Sequence, residues 1–458
     1  MKPGRHREGE TELTDDSDLS VADPRTIIND GPMSSFQWTV VAIMVGLNAL
    51  DGFDVLSISF ASPGITQEWG IDRAALGIVL SMELVGMAVG SLLLGGVADR
   101  LGRRRTILGC LVVMAAGMFL AATASNVIVL SIWRVLTGLG IGGMLAATNA
   151  AVAEAANARW RSFCVVLMAA GYPVGAVAGG SIASQLLAVY DWRSVFIFGG
   201  CVTALFIPLV LWRAPESIAF ETYRRGPDAL SRINRTLSRM GHAGVSRLPV
   251  LAETQKSSMA ELFTPGMARL TILLTFAYLA HIMTFYFILK WIPNIVAGMG
   301  YDASSAGEVL VFANIGGACG AFLLGVLTAK VRLIWLAIAA MVLSTAFVTY
   351  FGQGQRDLTE LSAIAAITGF FTNAGVVALY GLIAQSFPTR VRASATGFII
   401  GIGRGGSAAA PAVAGFLFAA GHGLPLVALL MGLGSLLAAA MLLGLPRRSG
   451  AEAPLAAA

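Results

Sequence analysis

Seven ionisable side chains stand inside long apolar runs, where charge is costly: Asp51, Asp54, Glu83, Arg134, His281, Lys290 and Arg404. On insertion scales a charge at mid-membrane depth costs about 2.5–3.5 kcal/mol, so each needs a partner or a water-filled cavity. Asp51 and Asp54, three apart in NALDGFDVL, put two carboxylates on one helix face, and Gly52 leaves the backbone between them approachable. Such a pair can share or relay a proton. Arg134 falls at a similar depth of its own run and can pair with them. The plainer reading of the same three residues is a static ion pair that fastens two helices.

Arg404 lies among glycines in GIGRGGSAAAP, which open space for a guanidinium to take a carboxylate through two parallel hydrogen bonds. The alternative is an arginine bonded to nearby carbonyls to hold a kinked helix. One run carries Phe276, Tyr278, His281, Phe285, Tyr286, Phe287 and Trp291, and another sets Phe370, Asn373 and Tyr380 on one stripe. Rings at this density can enclose an aromatic solute by stacking, although most rings in such runs pack or face lipid. His281, Tyr286, Asn373 and Tyr380 are the candidates for contact with a solute; taken alone, His281 reads more simply as a hydrogen-bonded core residue. Glu83 lies mid-run, where a carboxyl is partly neutral unless paired, and its role stays open. Lys290 is near enough to a helix end to snorkel to the surface. In GGVADRLGRRRT an aspartate precedes four arginines at a helix junction, so Asp99, with Arg100, Arg103 and Arg104, is expected to latch a cytoplasmic seam. No nucleophile with its base, no metal-ligand spacing and no phosphate loop occurs, which argues against an enzyme or an ATP-driven pump and leaves no cofactor to expect.

The elements that must hold these residues are membrane helices. The chain has 458 residues, 56% of them hydrophobic and 12% charged, with a mean hydropathy of +0.75. In lipid every backbone polar group must be bonded within its own segment, so runs of about 20 apolar residues imply spanning helices. Twelve such runs are expected, near 36–60, 73–97, 106–124, 127–150, 162–186 and 194–212, and again near 269–292, 303–327, 333–351, 360–384, 394–419 and 424–445. They divide the chain into a disordered cytoplasmic tail (1–35), a six-helix bundle (36–212), a polar linker with an amphipathic helix (213–268), a second six-helix bundle (269–445) and a short tail (446–458). The four cysteines sit singly in apolar runs and read as buried thiols.

Of 31 Lys and Arg, 25 fall in the tails and in the loops after the second, fourth, sixth, eighth and tenth runs. The opposite loops hold Arg73, Arg193 and Arg356. This asymmetry places both termini in the cytoplasm, and it accounts for the basic pI without any nucleic-acid partner. Glu154-x4-Arg159-x-Arg161 after the fourth run recurs as Gln385-x4-Arg390-x-Arg392 after the tenth. Matching loops imply parallel repeats around a central site, and alternating access as the mechanism.

Gly95-x3-Asp99-Arg100-x-Gly102-Arg103-Arg104-Arg105, with Arg134-x3-Gly138-x-Gly140-x-Gly142, resembles the signature of the major facilitator superfamily. Asp51-Gly52-Phe53-Asp54, the Pro-Gly of FASPGI and Gly403-Arg404-Gly405 look like its aromatic acid:proton symporter family, over residues 36–445. The resemblance implies an all-α membrane protein of twelve transmembrane helices in two pseudo-symmetric six-helix bundles. It implies proton coupling at Asp51 and Asp54, anion handling by Arg134 and Arg404, and cytoplasmic gating by Glu154 and Arg392. The expected activity is import of a benzoate-like carboxylate with protons, driven by the proton gradient, by a monomer in the bacterial cytoplasmic membrane that supplies aromatic catabolism. Proton-coupled efflux of aromatic anions or drugs is the nearer rival, and a transporter-like sensor the distant one. Three features depart from the pattern: Ala329 stands where the second copy of the loop would carry an aspartate, and Glu83 and Lys290 are unusual. The fifth run, GYPVGAVAGG, lacks the Gly-Pro pair of antiporters, which argues against efflux.

Overall fold

The computed structural model describes residues 23–249, 259–354 and 357–445; Arg356 and both chain ends lie outside them. A short helix α1 (Pro24–Asp30) precedes six long ones: α2 (Ser35–Trp69), α3 (Arg73–Leu101), α4 (Arg103–Ala122), α5 (Val127–Ala155), α6 (Arg161–Leu187) and α7 (Arg193–Arg213). Two short helices, α8 (Ile218–Arg224) and α9 (Ala229–Arg239), lead to a second six: α10 (Ala268–Gly298), α11 (Ala303–Leu327), α12 (Leu333–Phe351), α13 (Leu358–Ser386), α14 (Thr389–Ala419) and α15 (Leu424–Leu443). Eleven of the long helices are long and apolar enough to cross a membrane. The twelfth, α14, spends part of its 31 residues on arginines, serines and glycines, and it packs against α10 and α3 at the centre of the molecule.

The halves repeat one packing scheme. In the N-terminal half α2 packs on α6, α3 on α5 and α4 on α7; in the C-terminal half α10 packs on α14, α11 on α13 and α12 on α15. Between the halves α3 meets α14, α6 meets α11 and α2 meets α10. Missing side chains allow the closest approaches: a Cβ on Gly86 would stand 3.0 Å from the Gly138 Cα, so α3 and α5 touch backbone to backbone.

Three expectations are corrected. The first long helix does not stop near residue 60; it continues to Trp69 through Pro63. Proline removes the N–H that would serve the Ser59 carbonyl, and the Ser62 hydroxyl donates to that carbonyl at 2.9 Å instead. The stretch before residue 35, expected to be disordered throughout, holds α1. Asp23 caps it by accepting from the Arg25 N–H, and Ile28 packs with Ile218, Ile233, Leu237 and Met240 of the linker segment. Cys110 and Cys164 are buried as expected, but Cys201 and Cys319 are exposed on the outer faces of their helices.

The halves meet along only part of their length. At the face opposite the linker helices, Gly77 of α3 and Gly415 of α14 are so close that a Cβ on the first would lie 3.0 Å from the Cα of the second. Arg73 lies 4.8 Å above the Phe418 ring, and Asn294 of α10 donates to the Thr66 hydroxyl of α2 at 3.2 Å. Toward the linker face the helices part. Gly96 of α3 and Gly397, Gly401 and Gly405 of α14 have nothing within 4 Å of where a Cβ would be. The contacts named between the halves thus lie toward the distal face, while these glycines near the linker face border open space.

Candidate functional site

Asp51 and Asp54 are buried in the middle of α2, and Gly52 between them packs on α6, with the Tyr172 Cα 3.1 Å from the place a Cβ would occupy. One Asp51 carboxylate oxygen and both of Asp54 have no hydrogen-bond partner. The neighbouring Thr203 hydroxyl is committed to the Gly199 carbonyl at 2.7 Å. The charges that act on Asp51 are Asp54, Arg404 and Glu83.

Arg134 was expected to pair with the α2 carboxylates, and it does not. Its guanidinium forms an ion pair with Glu83 of α3, while Nη2 also donates to the backbone carbonyl of Asp54 at 3.0 Å. Phe196 lies under the guanidinium, 5.3 Å from ring centroid to Cζ. Because α3 and α5 touch at Gly86 and Gly138, Glu83 faces Arg134 across a helix contact too tight for water. The snorkelling of Lys290 is likewise overturned. Helix α10 carries this side chain inward to the contact between the halves, where it is fully buried, and its Nζ donates to Glu83 Oε2 at 3.2 Å and to the Val55 carbonyl. Glu83, whose role the sequence left open, is the anion shared by both cations. A buried charge pair is tolerated only when its members also satisfy one another's hydrogen bonds, which this triad with two α2 carbonyls largely does.

Arg404 reaches from α14 across the seam and donates through Nη1 to the Met87 carbonyl of α3 at 3.2 Å, part-buried at the end of the opening. Its charge acts on Tyr286 of α10, which in turn neighbours Tyr380 of α13 and Tyr172 of α6. Tyr278 completes the group, its hydroxyl 3.1 Å from that of Tyr380. Tyr172 escaped the sequence reading because a single tyrosine in an apolar run carries no distinguishing signal. Two other candidates have structural tasks. His281 is buried with one ring nitrogen 2.8 Å from the Ser435 hydroxyl and the other 2.9 Å from the Thr372 carbonyl, which leaves neither for a solute. The Asn373 amide donates to the Gly317 carbonyl at 2.7 Å and ties α13 to α11.

At the linker face Arg103 joins Asp99 at 3.0 Å and Glu154 at 3.1 Å, all within the N-terminal half. Arg104 donates to the Leu211 carbonyl at 2.6 Å, and its backbone N–H to Glu216 at 3.1 Å. Arg100 is exposed, and Arg392 donates to the Phe387 carbonyl at 3.3 Å. The partners expected for Asp99 across the seam are thus replaced by one in its own loop, since the halves are apart at this level.

The model of the Major Facilitator Superfamily matches residues 44–358 and 274–457. A gallate transporter of Pseudomonas putida is 29% identical over 425 residues, 92% of this chain and 94% of its own length. The 4-hydroxybenzoate transporter PcaK of the same organism is 31% identical over 84% of this chain and 87% of its own. Among solved structures, the inward-open xylose transporter XylE of E. coli superposes with a TM-score of 0.69 at 15% identity, over 90% of this chain and 97% of that one. Twelve long helices in two repeated halves, a signature loop and a matching family model agree: the chain belongs to the Major Facilitator Superfamily and is a multi-pass membrane transporter, not an enzyme.

Proposed function

We propose that the protein imports an aromatic carboxylate together with protons across a bacterial cytoplasmic membrane. The observation that carries the reading is the Arg404 guanidinium, which reaches from α14 to the Met87 carbonyl of α3 and lies close enough to Asp51, Tyr278 and Tyr286 for its charge to act on them. A guanidinium matches a carboxylate, and tyrosine rings and hydroxyls match a hydroxylated ring. Carboxylates that are held in no ion pair, as Asp51 and Asp54 are among the described residues, can take up a proton without breaking one. Relatives that carry gallate and 4-hydroxybenzoate support the same solute class.

The linker face is assigned to the cytoplasm because the sequence puts 25 of 31 Lys and Arg in the tails and in the loops of that side, which makes the structure an inward-facing one. The working unit is a single chain in which bundles 36–212 and 269–445 rock about the central site, joined by 213–268. Tails 1–35 and 446–458 are cytoplasmic, and no cofactor takes part. Arg404, Tyr286 and Tyr380 hold the solute, Asp51 and Asp54 carry the proton, and Arg134 braces Glu83. Asp99, Arg100, Arg103, Arg104, Glu154 and Arg392 close the cytoplasmic side when the halves swing together. One monoanion with one proton moves no net charge, so only the pH gradient drives it; a second proton adds about 2.3 kcal/mol per 100 mV.

The test is uptake of radiolabelled benzoate, 4-hydroxybenzoate and gallate into proteoliposomes under an inward proton gradient, for wild type and Asp54→Asn. Accumulation that collapses with a protonophore and in the variant is expected. Uptake indifferent to the gradient would sink the symport, and no uptake of any acid would sink the solute class.

A further inference from the structure

Lys290 is fully enclosed, and both groups that hold it belong to the other half of the molecule: Glu83 on α3, at 3.2 Å, and the Val55 carbonyl on α2. The rest of the distal seal is of a different kind. It consists of glycine backbones in contact, an arginine over one ring, and neutral hydrogen bonds from Asn294 to Thr66 and from the Ala412 N–H to the Ser81 hydroxyl. Among the described residues, the Glu83–Lys290 pair is the ion pair that joins the two halves.

The triad is arranged so that this contact can break while the others stay. Glu83 pairs with Arg134 of its own half as well as with Lys290. When the halves part, Lys290 leaves with α10 and Glu83 keeps Arg134, so no buried anion is orphaned. The ammonium, on its flexible four-carbon stem, enters water at the step in which it loses its partner, because the same opening that separates the pair admits solvent. The Val55 carbonyl loses a second donor only. A two-membered pair would strand a buried carboxylate at this step and resist opening far more strongly.

We propose that Glu83 and Lys290 are working residues of the transport cycle: their ion pair across the halves locks the distal gate, and opening to the outside requires Lys290 to leave Glu83 while Arg134 stays. The lock acts on the conformational equilibrium whatever solute is carried, so its test needs no substrate.

Full-length protein in nanodiscs, with Cys201→Ser and Cys319→Ser, receives spin labels at Ser125→Cys and Gln353→Cys, two exposed positions in the distal loops of opposite halves. Pulsed electron resonance then reads the distance between them. Lys290→Met is expected to raise the long-distance population relative to the short one at least about fivefold, the lower end of typical coupling between two-state elements. Lys290→Arg keeps a cation and is expected to keep the wild-type distribution. A second readout uses Ser184→Cys, buried beside Gly307 in the distal seam between α6 and α11. Its alkylation by an impermeant maleimide is expected to accelerate by a similar factor in Lys290→Met. If Lys290→Met is not obtained folded, Lys290→Gln carries the same expectation. Wild-type distances and labelling in the neutral variant, or equal opening in Lys290→Arg and Lys290→Met, would overturn the proposal.

Discussion

Removing the shared anion of the buried triad should cost more than removing either cation, and removing anion and cation together should cost less than the anion alone. Lys290 Nζ lies 3.2 Å from Glu83 Oε2, and all three members have no exposed side-chain surface. At an effective dielectric of about 20, unit charges about 3 Å apart attract by about 5 kcal/mol. Glu83→Gln forfeits two such attractions and leaves two cations to repel each other in the core. Regained solvation offsets part of this, and breaking a buried pair from one side costs about 3–5 kcal/mol. Lys290→Met loses one attraction but also spares the burial of an ammonium, and Glu83 keeps Arg134, so less than about 2 kcal/mol is expected. In the double variant a single cation remains, over Phe196 and bonded to the Asp54 carbonyl, and about 1–3 kcal/mol of the Glu83→Gln loss should return. Thermal unfolding of the four proteins in detergent with lipid checks the order: wild type, Lys290→Met, double variant, Glu83→Gln, from most to least stable. A double variant that melts at or below Glu83→Gln alone would refute the shared-anion account.

Other consequences are equally direct. A methyl group at Gly138 would meet the α3 backbone, 2.9 Å from the Met87 nitrogen and 3.0 Å from the Glu83 carbonyl carbon; Gly138→Ala should cost about 1–3 kcal/mol of stability, whereas Gly109→Ala, with nothing within 4 Å, should be neutral or better in the same melt. Arg404→Lys keeps the charge and loses the planar fork, so KM for uptake of an aromatic acid should rise about tenfold or more with a smaller change in Vmax, one charge-assisted hydrogen bond being worth about 1.5–3 kcal/mol. Asp302 caps α11, and the Ser305 N–H at 2.8 Å holds its carboxyl below the usual carboxylate range. Its folded value being depressed, its contribution is present above the unfolded value and lost as pH falls through the folded one. Asp302→Ala should therefore cost about 0.5–1 kcal/mol at neutral pH, low for a cap because the site is exposed. The difference from wild type should fade in melts on the acid side of pH 4.

Periodicity and hydropathy revealed all twelve spans, α14 among them, because the residues on either side of Arg404 in its run are mostly apolar or small. The first span runs nine residues further than its apolar run suggests, through Pro63, because the Ser62 hydroxyl serves the carbonyl that the proline frees. The charged residues were easy to find and hard to pair. Asp51, Asp54 and Arg134 invited one another by depth, yet Arg134 turns to Glu83 on the helix it touches through Gly138, and the two carboxylates stay outside any ion pair among the described residues. His281 and Asn373 looked available for a solute until Ser435, Thr372 and Gly317 were seen to occupy them.

By itself the sequence determined that the solvent is lipid, that twelve helices form two repeated halves, and which few residues carry charge inside them. These are properties of composition and local period, which the chain expresses segment by segment. Only the tertiary structure decided which charges meet, because a partner lies on another helix at a distance set by glycine contacts and by the rotation of each helix about its axis. Lys290 shows the difference most sharply: its place along α10 allows it to snorkel, and the rotation of α10 against α3 buries it on Glu83 instead.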